Sequence, residues 1–102
     1  MPYYPDSYES ALRREKKKAR DLRKTEWWKR QCAKGRCYYC KNKISPHLLT
    51  MDHIIPISRG GETYKGNVVP ACKSCNNQKK SLLTVEWEQY IQSIIQTEDT
   101  VN

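Results

Sequence analysis

Cys37-Tyr-Tyr-Cys40, followed after a gap of 31 residues by Cys72-Lys-Ser-Cys75, is the pattern whose reading decides the fold. Each C-x2-C pair brings two sulfurs within reach of one tetrahedral ion. The segment they enclose is too short to fold on a hydrophobic core alone, so metal binding is expected to supply the missing free energy. Zinc accepts four thiolates without redox chemistry, and a closed four-thiolate shell leaves no position for water or substrate. Cys37, Cys40, Cys72 and Cys75 are therefore expected to hold a structural Zn2+, with a rubredoxin-like iron site as the alternative. Five cysteines are an odd number, which fits a disulfide framework poorly. Cys32 is left over and is read as a free thiol.

Between the pairs the sequence runs Leu48-Leu-Thr-Met-Asp-His-Ile-Ile-Pro-Ile-Ser-Arg-Gly-Gly-Glu-Thr-Tyr-Lys-Gly-Asn-Val-Val-Pro-Ala-Cys72. β-Branched residues cluster around 49–55 and 67–70, with Gly60, Gly61 and Gly66 in the connection, which predicts a hairpin with a long loop. The run from Cys72 to Ser81 then turns helical, and Cys72 and Cys75 share a face at i, i+3. Knuckle, hairpin and helix make a small α+β core.

Outward from this core the charge is unevenly laid out. The 102 residues carry 19 Lys and Arg against 11 Asp and Glu, a formal net charge of +8. Residues 11–36 hold twelve basic and three acidic side chains, whereas 81–102 hold four acidic and no basic ones. Such an excess points to a polyanionic partner, with nucleic acid the first candidate. From about residue 7 to 32 there is no Gly or Pro, and the strong helix formers there predict one basic helix. Its apolar stripe, Tyr8, Leu12, Ala19, Leu22 and Trp27, is thin, so the helix either meets a phosphate backbone or stays solvated. Trp27 and Trp28 are read as packing residues in preference to base-stacking platforms. At the other end Trp87, Tyr90, Ile91, Ile94 and Ile95 follow helical spacing, which predicts an amphipathic helix with Thr84 as its N-cap. No apolar run approaches the roughly 18 residues of a membrane span, and the start lacks the order of a signal peptide. The chain is expected to be soluble and cytoplasmic, with no membrane partner.

The spacing Cys37-x2-Cys40, Asp52-His53-Ile-Ile-Pro56, Gly60-Gly61, Asn67 and Cys72-x2-Cys75-Asn76-x-x-Lys79 resembles the HNH endonucleases over about half the chain. The resemblance implies a ββα-metal, treble-clef-like core braced by zinc and a DNA-cleaving activity that uses a divalent ion. It makes His53 the general base, Asp52 and Asn76 the ligands of a catalytic Mg2+ or Mn2+, and Asn67 the residue that orients the histidine. Many members carry His where this chain has Asn76, so this is an HNN variant; an amide oxygen there favours hard cations.

The residue types make chemical sense on their own. Hydrolysing a phosphodiester needs a deprotonated water, and a neutral imidazole takes that proton near pH 7. Charge that builds on the phosphate and the departing oxygen is offset by a hard cation held by a carboxylate and an amide oxygen. Adjacent strand residues point to opposite faces, so Asp52 and His53 can serve one phosphate only where the strand bends or ends. Lys79 and Lys80 are candidates for phosphate contact. Arg59 and Lys65 either steer DNA or are solvated loop charges, and His47 reads as a loop residue.

The expected organisation is a basic N-terminal extension over 1–36, a nuclease domain with its C-terminal helix over 37–96 and a flexible tail over 97–102. The expected function is a metal-dependent DNA endonuclease acting on duplex DNA as a monomer or homodimer. A non-catalytic, zinc-stabilised nucleic-acid-binding module is the rival, and a zinc-ribbon protein adaptor would leave the basic segment unexplained.

Overall fold

A computed structural model describes residues 7–79 and 82–101, and the side chains of all of these except 84 and 94–101. The expectation placed on Lys80 lies outside the described residues. Four helices and a two-stranded sheet make up the fold: α1 (Tyr8–Arg23), α2 (Glu26–Ala33), β1 (Thr50–His53), β2 (Val68–Ala71), α3 (Lys73–Lys79) and α4 (Thr84–Val101). The order hairpin then helix is the one the sequence predicts.

The basic segment is two helices instead of one. Ser7 caps α1 by accepting the Ser10 N–H. The break follows Arg23, where the Thr25 hydroxyl donates to the Leu22 carbonyl at 2.7 Å and accepts the Trp28 N–H at 3.2 Å. A threonine hydroxyl that satisfies both a helix end and the next helix start competes with helix continuation. The turn also has a packing reward. It aims α2 so that Trp28 and Cys32 are buried with Leu49 and Val68, with Leu22, Trp27, Ile44 and Met51 packed around them. Trp27 and Trp28 therefore serve the core, and Cys32 is a free thiol within it.

β1 and β2 pair antiparallel, Thr50 opposite Ala71 and His53 opposite Val68. The Cys37 knuckle is tied to this ribbon by the Tyr38 N–H, which donates to the Pro70 carbonyl at 2.8 Å. Lys41 closes the knuckle with a left-handed φ of 64°. At the far end, α4 begins at Thr84 itself, which puts Leu83 at the N-cap position predicted for Thr84. The Glu86 carboxylate reaches back to accept the Leu83 N–H at 2.9 Å, half of a capping box. The helix also runs through Val101, past the tail boundary expected at 97. No Gly or Pro after residue 83 interrupts it. Among the described residues no helix is long and apolar enough to cross a membrane.

Candidate active site

The four cysteines of the two C-x2-C pairs meet. Their Sγ atoms all lie within 4.8 Å of one another. Both knuckles aim backbone N–H groups at sulfur: Tyr39 N–H at Cys37 Sγ and Cys75 N–H at Cys72 Sγ, each 3.4 Å. Burial raises the Cys37 thiol, but N–H groups of Cys72, Cys40 and Tyr39 outweigh it and bring it down to about 7. Burial and the neighbouring sulfurs push Cys75 far up. A lowered Cys37 beside a raised Cys75 is the electrostatic setting that a divalent cation relieves. The donor set fits a metal ion.

About the end of β1 a second group of residues lines a cleft of about 170 Å3: Met51, Asp52, His53, Pro56, Ile57 and Asn76. The strand alternation that would separate Asp52 from His53 is overcome because the strand ends at His53, where both reach the cleft. α3 brings Asn76 from the other side of the hairpin, and its amide N–H donates to Thr50 Oγ1 at 2.8 Å. That bond turns the amide so that its oxygen is the atom left for a ligand.

Asp52 is buried, 5% exposed, and it is not alone. Its Oδ2 accepts the Tyr39 hydroxyl and pairs with Lys79 Nζ at 3.1 Å. Burial and the Asp52 carboxylate push the Tyr39 phenol far up, so it remains a donor. Tyr39 itself rests edge-on against the buried Trp87 of α4. Lys79, expected on a phosphate-facing surface, is instead fully buried. Its ammonium also donates to the carbonyls of His53 and Ile54, at 3.1 and 3.4 Å. A buried lysine has to spend its charge on internal acceptors, and here those acceptors are the end of β1 and its acid.

The imidazole of His53 is held by Thr63, not by Asn67. His53 Nε2 lies 2.8 Å from Thr63 Oγ1. The Thr63 hydroxyl has one proton, and it donates it to the backbone carbonyl of Glu15 at 3.1 Å. Oγ1 therefore accepts from Nε2–H, which places the ring's lone pair on Nδ1. Burial holds the His53 pKa below its usual value. The carboxylates of Asp52 and Glu15 oppose this, while Arg23 and Lys79 reinforce it. The ring is neutral near pH 7.

Asn67 has a different task from the one expected. It is buried, and its Oδ1 accepts the Ile55 N–H at 2.8 Å. Its Nδ2 donates to the carbonyls of Ile55 and Glu62, at 3.1 and 2.7 Å. It clips the two ends of the loop between the strands and acts on His53 only through the backbone. Arg59, a candidate DNA contact, forms an ion pair with Glu86 of α4 at 3.0 Å. Lys65 lies 5.5 Å from the centre of the Trp27 ring and is exposed, and His47 is exposed in the 3-10 turn over Pro46–Leu48.

Residues 37–82 match the HNH endonuclease family. The matched segment contains both C-x2-C pairs, the hairpin and α3, so the cleft and the cysteine cluster fall wholly inside it. Among individual relatives, the CRISPR-associated endonuclease Cas9 of Actinomyces naeslundii is 35% identical over 54 residues, 52% of this chain and 5% of that protein. The SPbeta prophage-derived protein YoqL of Bacillus subtilis strain 168, whose name places it among the HNH endonucleases, is 28% identical over 85 residues. That match covers 74% of this chain and 37% of YoqL. The chain thus spans a small fraction of the first relative and just over a third of the second.

Three residues of the site escape sequence reasoning. Tyr39 sits inside the knuckle, where nothing marks it as a partner of Asp52. Thr63 carries no signal at all. Glu15 does carry one: it falls at i+3 from Leu12 and i−4 from Ala19, a lone acid on the stripe that faces the core.

Proposed function

We propose that the chain is a divalent-metal-dependent endonuclease that hydrolyses DNA phosphodiester bonds. The observation that carries this reading is the cleft lined together by His53, whose Nε2 is paired with Thr63, and by Asp52 and Asn76. His53 Nδ1 takes the proton of a water as its oxygen bonds to phosphorus. The P–O3′ bond breaks, and the departing O3′ takes a proton from solvent water, leaving a 5′-phosphate and a 3′-hydroxyl. Asp52 and Asn76 would hold Mg2+ or Mn2+, which supplies charge neutralisation at the phosphate. Asp52 Oδ2 is occupied by Tyr39 and Lys79, so Oδ1 is the carboxylate atom assigned to that ion. Cys37, Cys40, Cys72 and Cys75 hold zinc as a brace, with no part in the chemistry.

Duplex DNA is the proposed substrate because the exposed faces of α1 and α2 carry most of the chain's excess positive charge. A single site breaks one strand per encounter, so a monomer nicks and a suitably spaced dimer cuts both strands.

The test is relaxation of supercoiled plasmid by the zinc-loaded protein with and without added Mg2+ or Mn2+, beside His53→Ala. Metal-dependent nicking that falls by about 100-fold or more in the variant is the expected result. DNA binding without nicking under any metal would favour the non-catalytic binding module. Equal nicking by His53→Ala would remove His53 as the base.

A further inference from the structure

α1 reads from its charge as a surface helix, yet one of its acids is among the most buried polar groups of the protein. Glu15 is 2% exposed. Its Oε1 accepts the Thr63 N–H at 2.6 Å, and its backbone carbonyl accepts the Thr63 hydroxyl at 3.1 Å. Its Oε2 is paired with Lys18 Nζ at 3.2 Å and Arg14 Nε at 3.5 Å. One residue of α1 thus holds Thr63 at two points, 48 positions away in sequence, and Thr63 in turn holds His53 Nε2.

We propose that Glu15 and Thr63 are positioning residues for His53, so that α1, outside the segment matching the HNH family, completes the catalytic site. This rests on the reading of His53 as the general base. The physical content is a choice of tautomer. An imidazole with no partner at Nε2 distributes its proton between both nitrogens and rotates about its side-chain bonds. A hydroxyl whose own proton is committed to the Glu15 carbonyl can only accept. It draws the ring proton to Nε2 and leaves the lone pair on Nδ1. The carboxylate adds the second anchor. Without it the Thr63 backbone is free to shift, and a hydroxyl displaced by an ångström no longer selects the tautomer.

Two independent readouts test this on the zinc-loaded 102-residue chain. Long-range 1H–15N NMR at a pH where the ring is neutral reports the His53 tautomer, and metal-dependent plasmid nicking reports the rate. The wild type is expected to show His53 as the Nε2–H form. Thr63→Val, close in shape and without the hydroxyl, should mix the tautomers and slow nicking by about tenfold to 100-fold. Thr63→Ser should restore both. Glu15→Ala should reproduce the loss, with zinc content and melting temperature reporting on its fold. If Glu15→Ala does not fold, the Thr63 pair decides.

The proposal is overturned by a wild-type His53 in the Nδ1–H form, or by Thr63→Val with wild-type tautomer and rate. It falls together with the nuclease reading if the wild type fails to nick DNA under every divalent metal tried, whatever the tautomer does. It falls alone if His53→Ala abolishes nicking while Thr63→Val nicks like the wild type.

Discussion

Lys79 Nζ and Asp52 Oδ2 form a 3.1 Å ion pair in which the side chains are 0% and 6% exposed. A charge this deeply buried is tolerated because each partner has further hydrogen bonds: Tyr39 to the acid, and the His53 and Ile54 carbonyls to the ammonium. The pair also fixes the end of β1, where the cleft begins. The carboxylate proposed to hold the divalent ion is thus also one half of the buried ion pair beneath the cleft.

Removing one partner should therefore be costly. Lys79→Met is expected to destabilise the fold by about 3–5 kcal/mol, because Asp52 is left as an uncompensated buried charge. Urea unfolding of the variant measures this, and the double variant Asp52→Asn with Lys79→Met should recover part of the loss. An unchanged unfolding midpoint for Lys79→Met would show that the pair contributes nothing. The same geometry makes Asp52→Asn, which keeps the shape, a better probe of metal binding than Asp52→Ala.

The cysteine cluster should be the brace of the hairpin and α3. Zinc sites of this kind contribute about 10–16 kcal/mol of apparent binding free energy near neutral pH. A strong chelator, or serine at any of Cys37, Cys40, Cys72 or Cys75, is expected to abolish the cooperative melt seen by circular dichroism. Asn76→Ala should keep full zinc content and the melt. A chelated protein that retains its spectrum would contradict the structural role of the ion.

Gly61 is expected to tolerate no side chain. A Cβ there would stand 1.8 Å from the Ile55 carbonyl oxygen and 2.6 Å from its carbon, both backbone atoms that Asn67 pins. Gly61→Ala should destabilise the protein by about 1–3 kcal/mol and slow nicking, since the loop it distorts carries Thr63. Gly60 differs, for its Cβ would meet nothing within 4 Å and only its left-handed φ of 89° is at stake. Gly60→Ala should cost about 1–2 kcal/mol, through backbone strain alone. Melting curves of the two variants beside a nicking assay separate the cases.

Stability should fall in acid through Glu15. Burial raises its carboxyl, but the Thr63 N–H and Lys18 outweigh that and hold it below its ordinary value of 4.5. The unfolded chain then binds a proton at a pH where the folded chain does not. The contribution is full above about pH 4.5 and is lost as pH falls through the folded pKa. Melting temperature measured from pH 7 down to pH 3 should drop more steeply for the wild type than for Glu15→Gln. Parallel curves would show that Glu15 is not linked to folding.

What the linear chain determined was whatever rests on spacing and local chemistry. A C-x2-C pair brings two sulfurs to one ion whatever surrounds it, so Cys37, Cys40, Cys72 and Cys75 declare their cluster directly. β-Branched runs around a glycine loop announce the hairpin. Asp52, His53 and Asn76 stand out because their order within that frame is distinctive, and the cleft holds all three.

The tertiary structure decided which charges are buried and what holds the imidazole. Lys79 reads as a surface cation until Asp52, 27 positions earlier, is seen to face it. The helix break at Thr25 reflects the burial of Trp28 against Leu49 and Val68, a reward that local propensity does not contain. Glu15 reaches Thr63 only because α1 packs over the loop. Burying a polar group is favourable only where distant partners satisfy it. Those partners come from the folded arrangement of the whole chain, and no window of sequence holds both members of the pair.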